Sequence, residues 1–467
     1  MTERALAGPT AFVLAGGGTK GSFEVGALQY LVGTERIIPD IIAATSAGAV
    51  AAAVLAQART FEEFDRRVQE VEEDILAMTR TEQIFGEQAW LQALEGTTLG
   101  GEIRTAFTKG TRPPLPALRC TVSLDPDPAP NVPRRAANKA RRRRRRWVRR
   151  LLAGAALRLP RARRRFRTSG SSILNLRPLA HAMRHGGPSG IHPVDQDLIR
   201  RPGLQLRLAV TALRAGALRY VTQDGTIVEE DARTPAPGSS AGPVDLLDAV
   251  IASASVPMVF PPRPLAGDDY VDGGVLQVVP VRAAAQLGAT RIIAVLAVPL
   301  RIDRDERSYS EDNAVNVGLR ALGVIAMADR QRENLAVTLP PGGTLTTIDP
   351  VVDVVGYFEV EPGLLRINKD YGWLRAADVM AEGDATLLDE VAADTHRLVA
   401  ARLEAWHLEE TVWAGDRIDA AADPGTLSLL RELKREVHEL VDQRKQLGFP
   451  VPDGCEEWWT RHETHGS

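Results

Sequence analysis

Two short apolar stretches near the N-terminus, AFVLA and IIAA, constrain the fold most, because each leads into a turn of small residues and then into a helical pattern. The turns are GGGTKG at 16–21 and TSAG at 45–48, and Gly18 and Ser46 lie 28 residues apart, the length of one β-α-β step. Consecutive parallel strands of such a unit end at the same edge of a sheet. The pattern therefore predicts an α/β fold with both turns at one sheet edge.

The first turn has the composition of an anion-binding loop. Glycine lets the backbone approach a ligand closely, and the first N–H groups of a helix are unpaired and lie at the positive end of its dipole. Gly16, Gly18 and Gly21 satisfy the GxGxxG pattern of dinucleotide-binding proteins, which favours an NAD(P)-binding oxidoreductase. That fold needs an acidic residue after the second strand, and Asp40 precedes that strand instead. The alternative is a loop that binds a transition-state oxyanion.

The second turn, from Ala44 to Gly48, differs by one residue from GxSxG, the nucleophile elbow in which a serine lies on a strained strand-to-helix turn. Ala44 replaces the first glycine and adds only a methyl group. Ser46 alone fits a helix cap equally well. The neighbouring glycine loop favours a nucleophile, because acyl transfer to serine needs backbone donors for the oxyanion.

A serine nucleophile also needs a base. The sequence has eight histidines, and none lies in a recognisable catalytic motif, although a triad assembled from distant residues stays open. Asp272 is the other candidate, since it follows an apolar pair and precedes Gly273 and Gly274, which leave its carboxylate uncrowded. By itself, an Asp-Gly pair is typical of hairpin turns.

Together the three motifs resemble the patatin-like phospholipase family, whose pattern is GGGx[KR]G, then GxSxG, then DG[GA]. The resemblance covers roughly residues 9–300 and departs from the family at Ala44. It implies a three-layer α/β fold with a central, mostly parallel sheet. It also implies hydrolysis of fatty-acyl esters, as by a phospholipase A, a lysophospholipase or a lipase.

The resemblance further implies a serine-aspartate dyad that works without histidine, metal ion or cofactor. Ser46 is the implied nucleophile and Asp272 the implied proton acceptor. Lys20 occupies the position of a basic residue of the family, and we expect it to meet lipid phosphate. A carboxylate is a weak base at its ordinary pKa of about 3.9, so burial would have to raise the pKa of Asp272. The implied oxyanion hole consists of Gly16, Gly17 and Gly18.

The chain of 467 residues is long enough for two domains. We predict a hydrolase domain over 1–300 and a mostly helical C-terminal region over 301–467, where amphipathic patterns at 373–415 and 425–446 are separated from an earlier helical stretch by a polar, proline-rich connection. A non-catalytic membrane or nucleic-acid adaptor on the same fold stays an alternative. The only feature that suggests it is Ala44, which replaces the first glycine of the GxSxG motif.

The sequence also bears on localisation. Two cysteines are too few for a disulfide framework and fit a reducing compartment, and the N-terminus lacks the apolar segment of a signal peptide. The stretch Ile41–Ala58 has 18 uncharged residues, but its polar residues and its elbow argue against a membrane span. We expect a cytoplasmic protein without a transmembrane helix.

Residues Arg134–Arg167 contain 17 lysines or arginines and no acidic residue, whereas the rest of the chain carries 40 basic and 60 acidic residues, a net charge of −20. Three interpretations stay open for this segment: a disordered, solvated insertion, a peripheral anchor on anionic membranes and a nucleic-acid-binding segment. Apolar residues between the arginines favour a membrane, and the scarcity of aromatic residues disfavours nucleic acid. The sequence does not predict an oligomeric state.

Overall fold

The computed structural model describes residues 8–97, 101, 104, 172–187, 191–237, 242–302, 310, 317, 319–414, 417–418 and 424–460. The arginine-rich segment 134–167 lies outside these residues, so none of its three interpretations meets a structural observation. Within the described part, no helix is both long and apolar enough to cross a membrane.

Among the described residues, nine strands form one mixed sheet, and two strand pairs lie outside it. The strands are β1 (Thr10–Leu14), β2 (Ile41–Ala44), β3 (Gly86–Glu87), β4 (Leu174–Asn175), β5 (Gln205–Ala212), β6 (Ala217–Thr222), β7 (Ile227–Val228), β8 (Arg263–Leu265), β9 (Asp268–Asp272), β10 (Arg291–Val295), β11 (Thr344–Ile348), β12 (Trp413–Ala414) and β13 (Arg417–Ile418).

The described helices lie on both faces of the sheet or extend from it. They are α1 (Ser22–Leu28), α2 (Ala47–Leu55), α3 (Phe61–Leu76), α4 (Ala89–Gln92), α5 (Arg177–His185), α6 (Gln196–Arg200), α7 (Leu246–Ser253), α8 (Val281–Gln286), α9 (Ala326–Leu335), α10 (Pro362–Met380), α11 (Ala385–Val412), α12 (Pro424–Gln446) and α13 (Glu457–Thr460). Wider π-helical turns continue α1 over Gln29–Thr34 and precede α9 over Leu319–Ile325.

The main sheet runs in the order β11-β10-β1-β2-β5-β6-β7, with β9 paired to β5 and β8 paired to β9. The first five strands of this order are parallel, and β6 and β9 are antiparallel to β5. The carboxyl ends of the five parallel strands therefore share one edge. This arrangement confirms the predicted α/β fold with a mostly parallel sheet.

Alternate side chains of the central strands enter two separate apolar cores. Phe12 and Leu14 of β1 pack with α1, α2, α7 and α10 on one face. Ala11 and Val13 point to the other face, which α8 covers. Because both faces are buried, β1 and β2 are apolar except for Thr10 at the start of β1. The result is the predicted three-layer arrangement.

The C-terminal region is largely helical, as predicted, but it also supplies a strand that the sequence analysis assigned to a connection. Strand β11 pairs in parallel with β10 at the edge of the sheet. Helix α10 packs directly on α1, where a Cβ on Gly26 would overlap the carbonyl oxygen of Lys369. The boundary predicted at residue 300 thus lies between two adjacent strands of one sheet, and whether two separate domains exist stays a prediction.

Candidate active site

Ser46 lies on a strained turn between β2 and α2. Its φ of 55° and ψ of −122° place it in a region that non-glycine residues rarely adopt. Such outliers cluster at functional sites, and this one has the geometry of a nucleophile elbow. The alternative role as a helix cap finds no support, since the Ser46 side chain makes no capping hydrogen bond. Ala44 is fully buried in β2, so its extra methyl group is accommodated.

A second serine, which the sequence analysis did not single out, holds the elbow in place. The Ser46 N–H donates to Ser253 Oγ at 3.0 Å, and the Ser253 hydroxyl donates to the Ala209 carbonyl at 2.7 Å. Ser253 is completely buried at the end of α7. Its only sequence signal is the small-residue run ASAS, which does not reveal a distant partner.

Asp272 ends β9 opposite Val210 of β5 and is 4 % exposed. Its N–H donates to the Ser255 carbonyl at 2.9 Å, and its Oδ1 accepts the Gly274 N–H at 2.7 Å. Burial raises the pKa of Asp272 to about 7, and the neighbouring Ser46 hydroxyl and the hydrogen bond from the Gly274 N–H oppose this shift. Oδ2 is buried and accepts no hydrogen bond among the described residues, so it is free to act as a base toward the Ser46 hydroxyl.

The glycine loop is held by a segment from the C-terminal region. Gly18 has a φ of +60°, and a Cβ there would overlap the Tyr357 carbonyl oxygen. The Thr19 N–H donates to that same oxygen at 3.0 Å, and the Thr19 hydroxyl donates to the Gly356 carbonyl at 2.5 Å. Only glycine fits at position 18, because both the positive φ and the close carbonyl exclude a side chain.

The loop leaves two N–H groups available beside Ser46. The Gly16 N–H donates to the Val278 carbonyl at 3.2 Å, so this predicted oxyanion donor is already engaged. Gly16 still lies against the elbow, since a Cβ on it would be 3.0 Å from Ser46 Cβ. Within the described part of the chain, the N–H groups of Gly17 and Gly18 have no hydrogen-bond partner. These two are the remaining candidates for oxyanion donors.

Lys20 is buried against the segment between β11 and α10. It is 3 % exposed, its ammonium pairs with Asp353, and it lies 4.5 Å from the centroid of the Tyr357 ring. It does not line the cavity that contains Ser46. This placement favours a role in anchoring the glycine loop and does not favour the predicted contact with lipid phosphate.

Mainly apolar side chains line the cavity that adjoins Ser46. Gly18 and Ser46 contribute to its wall together with side chains of α1, α2, α3 and α5. The lining also includes one polar pair, in which His192 Nδ1 is 2.8 Å from Asp74 Oδ1. Such a cavity suits an aliphatic chain. Its apolar walls include Val50, Val71, Ile75, Leu179, Met183 and Phe260.

Glu24 of α1 is an acidic side chain in the same wall that the sequence analysis missed. It is almost completely buried, and neither carboxyl oxygen has a hydrogen-bond partner among the described residues. Burial raises the pKa of Glu24 well above its ordinary value, and the nearby Ala15 backbone opposes the shift only in part. A neutral carboxyl group is the form that this environment favours.

Comparisons with known proteins identify a family for most of the N-terminal part of the chain. Residues 12–285, more than half of the chain, match the family model described as patatin-like phospholipase. Comparison with curated proteins gives no match. Among solved structures, the chain is similar to VipD from Legionella pneumophila, with 13 % identity, coverage of 97 % of this chain and 88 % of that chain, and a TM-score of 0.28. That score is too low to support an argument.

Proposed function

This chain belongs to the patatin-like phospholipase family, and from that premise we propose that it is a serine hydrolase of lipid acyl esters, acting as a phospholipase A, a lysophospholipase or a lipase. One observation carries the proposal. A serine on a strained elbow lies next to a buried aspartate that has one unpartnered carboxyl oxygen and a pKa raised to about 7. A base with a pKa near the working pH combines a useful ionised fraction with a strong tendency to take a proton.

The first half of the reaction acylates the serine. Ser46 Oγ attacks the ester carbonyl carbon while its proton passes to the Asp272 carboxylate. The carbonyl electron pair moves onto oxygen, and the Gly17 and Gly18 N–H groups stabilise this oxyanion. Each such donor contributes about 2.7–4 kcal/mol to kcat in serine hydrolases. When the intermediate collapses, the bond to the alcohol oxygen breaks, and Asp272 returns its proton to that oxygen.

The second half releases the fatty acid. A water molecule attacks the acyl carbon while Asp272 takes its proton, and the same two N–H groups hold the oxyanion. Collapse breaks the bond to Ser46 Oγ, which regains the proton from Asp272. Throughout, the apolar cavity beside Ser46 holds the acyl chain, which explains why its wall is lined mainly by aliphatic and aromatic side chains.

A fluorophosphonate probe tests the proposal, because it reacts with activated serines. We expect labelling of Ser46 and hydrolysis of a short soluble ester, both lost in Ser46→Ala. Asp272→Asn should be comparably inactive, and the double variant no worse than either single one, since the two residues act as a unit. Ser428→Ala, on the exposed face of α12, is the matched control and should keep full activity.

Other outcomes would favour the alternatives. An unlabelled Ser46 in folded protein would indicate a non-catalytic adaptor on the same fold. Full activity of Asp272→Asn together with an inactive histidine variant would replace the dyad by a triad. NAD(P) binding that does not depend on Ser46 would favour the oxidoreductase, although no observation among the described residues points to a dinucleotide.

We also propose that the arginine-rich segment attaches the enzyme peripherally to anionic membranes from the cytoplasmic side, with no role for nucleic acid. The 17 basic residues of Arg134–Arg167 support this proposal, because each Lys or Arg near an anionic surface contributes about 1 kcal/mol and the attraction decays within a Debye length. Deleting the segment should lower binding to anionic vesicles at low salt to the level that the intact protein keeps at high salt, and leave cleavage of a soluble ester unchanged. Unchanged vesicle binding, or salt-sensitive binding of RNA alone, would contradict it.

A further inference from the structure

Large apolar side chains are exposed unevenly on the described surface. Eight of them are more than a third exposed among the described residues, and six of these eight lie around the sheet edge that carries the active site. We call this set the apolar rim. It consists of Leu213, Met258, Val275, Leu276, Ile325 and Val351.

The sheet topology places two members of the rim at the edge where Ser46 lies. Leu213 directly follows the carboxyl end of β5, and Val351 follows that of β11 by three residues. Both strands run in the same direction as β2, whose carboxyl end leads to Ser46. Both side chains are therefore on the active-site edge.

Contacts with Asp272 and its neighbours place three more members. Val275 and Leu276 follow Asp272 by three and four residues. Ile325 directly precedes α9, and the Arg330 guanidinium of that helix donates to the Val275 carbonyl. Val275 and Leu276 thus lie close to the proposed base along the chain, and Ile325 directly precedes the helix that contacts Val275.

Met258 is the most exposed member, and its backbone is strained. Its side chain is 71 % exposed, its φ is +69°, and it lies between Val256 and Phe260, which both line the cavity. A positive φ is an outlier for a bulky residue and is tolerated best by Gly, Asn and Asp. Strained backbone residues cluster at functional sites. Here the strain holds a large apolar side chain in solvent beside the cavity.

We infer that the apolar rim is the surface with which this protein docks onto an anionic phospholipid bilayer. The inference rests on the proposed function, because a lipid acyl hydrolase must draw a chain from the bilayer into the cavity behind the rim. Clustered exposed apolar side chains mark interaction sites, and interfacial binding strength scales with the apolar area buried at the headgroup boundary.

The chain beyond the described residues points to the same partner. It re-enters the structure beside Met258, since the N–H groups of Ile173 and Leu174 donate to the Val259 carbonyl at 3.1 and 2.8 Å. The arginine-rich segment ends only a few residues earlier, at Arg167. The basic segment is therefore joined by residues 168–171 to a part of the chain that contacts Val259, the neighbour of Met258, and its charge complements an anionic surface. Salt screens the attraction between the basic segment and the membrane, whereas the hydrophobic contribution of the rim to vesicle binding persists at high salt.

Vesicle sedimentation of the full-length protein at high salt tests the rim, with vesicles of phosphatidylcholine and phosphatidylglycerol. The variant combines Met258→Asn, which suits the positive φ, with Val351→Ser. We expect its bound fraction and its hydrolysis of vesicle lipid to fall about tenfold or more, because two apolar side chains no longer leave water. Cleavage of a short soluble ester should be unchanged. Leu447→Asn, directly after α12 and outside the rim, is the matched control and should behave as wild type.

Three outcomes would overturn the inference. They are wild-type vesicle binding by the rim variant, an equal loss in Leu447→Asn, and a wild-type dimer that the rim variant dissociates, which would assign the rim to a second copy of the chain. Failure of the proposed function would look different from failure of the docking inference. A protein that binds vesicles through the rim but cleaves no ester would contradict only the proposed hydrolase activity.

Discussion

The pKa of Asp272 sets the pH range in which the proposed reaction can run. An ordinary aspartate is ionised above about pH 4, whereas burial raises the pKa of Asp272 to about 7. As a base it must be ionised in the free enzyme, so kcat/KM for a soluble ester should rise with pH through about 7 and level off above it. A pH–rate profile measures this rise. A flat profile down to pH 5 would show that Asp272 is not the base.

The same burial makes Asp272 destabilising at neutral pH. The folded-state pKa of about 7 lies above the unfolded value of about 3.9, so stability is full below pH 4 and falls as pH rises to about 7. The loss amounts to roughly 4 kcal/mol above that range. We therefore expect Asp272→Asn, although inactive, to be more stable than wild type at pH 8 and equally stable at pH 4. Denaturant unfolding at both pH values measures the difference, and equal stability at pH 8 would contradict the raised pKa.

At the scale of elements, the glycine loop depends on the segment between β11 and α10. Lys20 pairs with Asp353, and Gly18 and Thr19 lie against Tyr357. We expect Asp353→Asn to lower kcat about tenfold with little change in KM, because the loop loses an anchor near its oxyanion donors, and one donor alone is worth 10²–10³ in kcat. Steady-state kinetics on a soluble ester measure the effect.

A matched control separates this anchor from general loss of surface charge. Asp329→Asn removes a carboxylate that pairs with Arg332 on an exposed helix face, where ion pairs contribute little. It should keep the wild-type kcat. Equal kinetics in the Asp353 and Asp329 variants would mean that the loop does not need its ion pair.

The elements that were predictable are those whose pattern is local. Strands β1 and β2 are apolar stretches that lead into turns of small residues, and each lies where the sequence indicates it. Strand β11 was missed because TLTTI is half polar and lies at the sheet edge, where burial is partial. Its pattern does not distinguish it from a polar connection.

The sequence predicted the motif residues of the candidate site but not the distant residues that contact them. The elbow and the glycine loop are continuous in sequence, so their geometry follows from local backbone rules. The contacts of Ser46 with Ser253 and of Lys20 with Asp353 span more than 200 residues, and no local pattern encodes them.

For the whole molecule, the sheet and one of its cores extend across residue 300. Helix α10 buries Tyr371 against Phe23 of α1, with ring centroids 5.3 Å apart in an edge-to-face arrangement. Trp373 packs in the same way on Tyr30 at 5.0 Å. The Asn368 side chain donates to the Lys20 carbonyl at 3.0 Å. The hydrolase part thus shares its core with the region that follows it.

Truncation after residue 300 tests whether the hydrolase part folds without the region that follows it. We expect the fragment 1–300 to be insoluble or to lack cooperative unfolding, because it exposes the edge of β10 and the face of α1 that α10 covers. Each large apolar side chain returned to water costs about 1.5–3 kcal/mol, so losing several removes most of a typical stability of about 5–15 kcal/mol. An unpaired strand edge also promotes aggregation.

The fragment 1–460, which keeps every described element, is the control and should melt cooperatively. A soluble 1–300 fragment with a cooperative transition and a labelled Ser46 would show instead that residue 300 is a true domain boundary and that β11 and α10 only dock onto a finished fold.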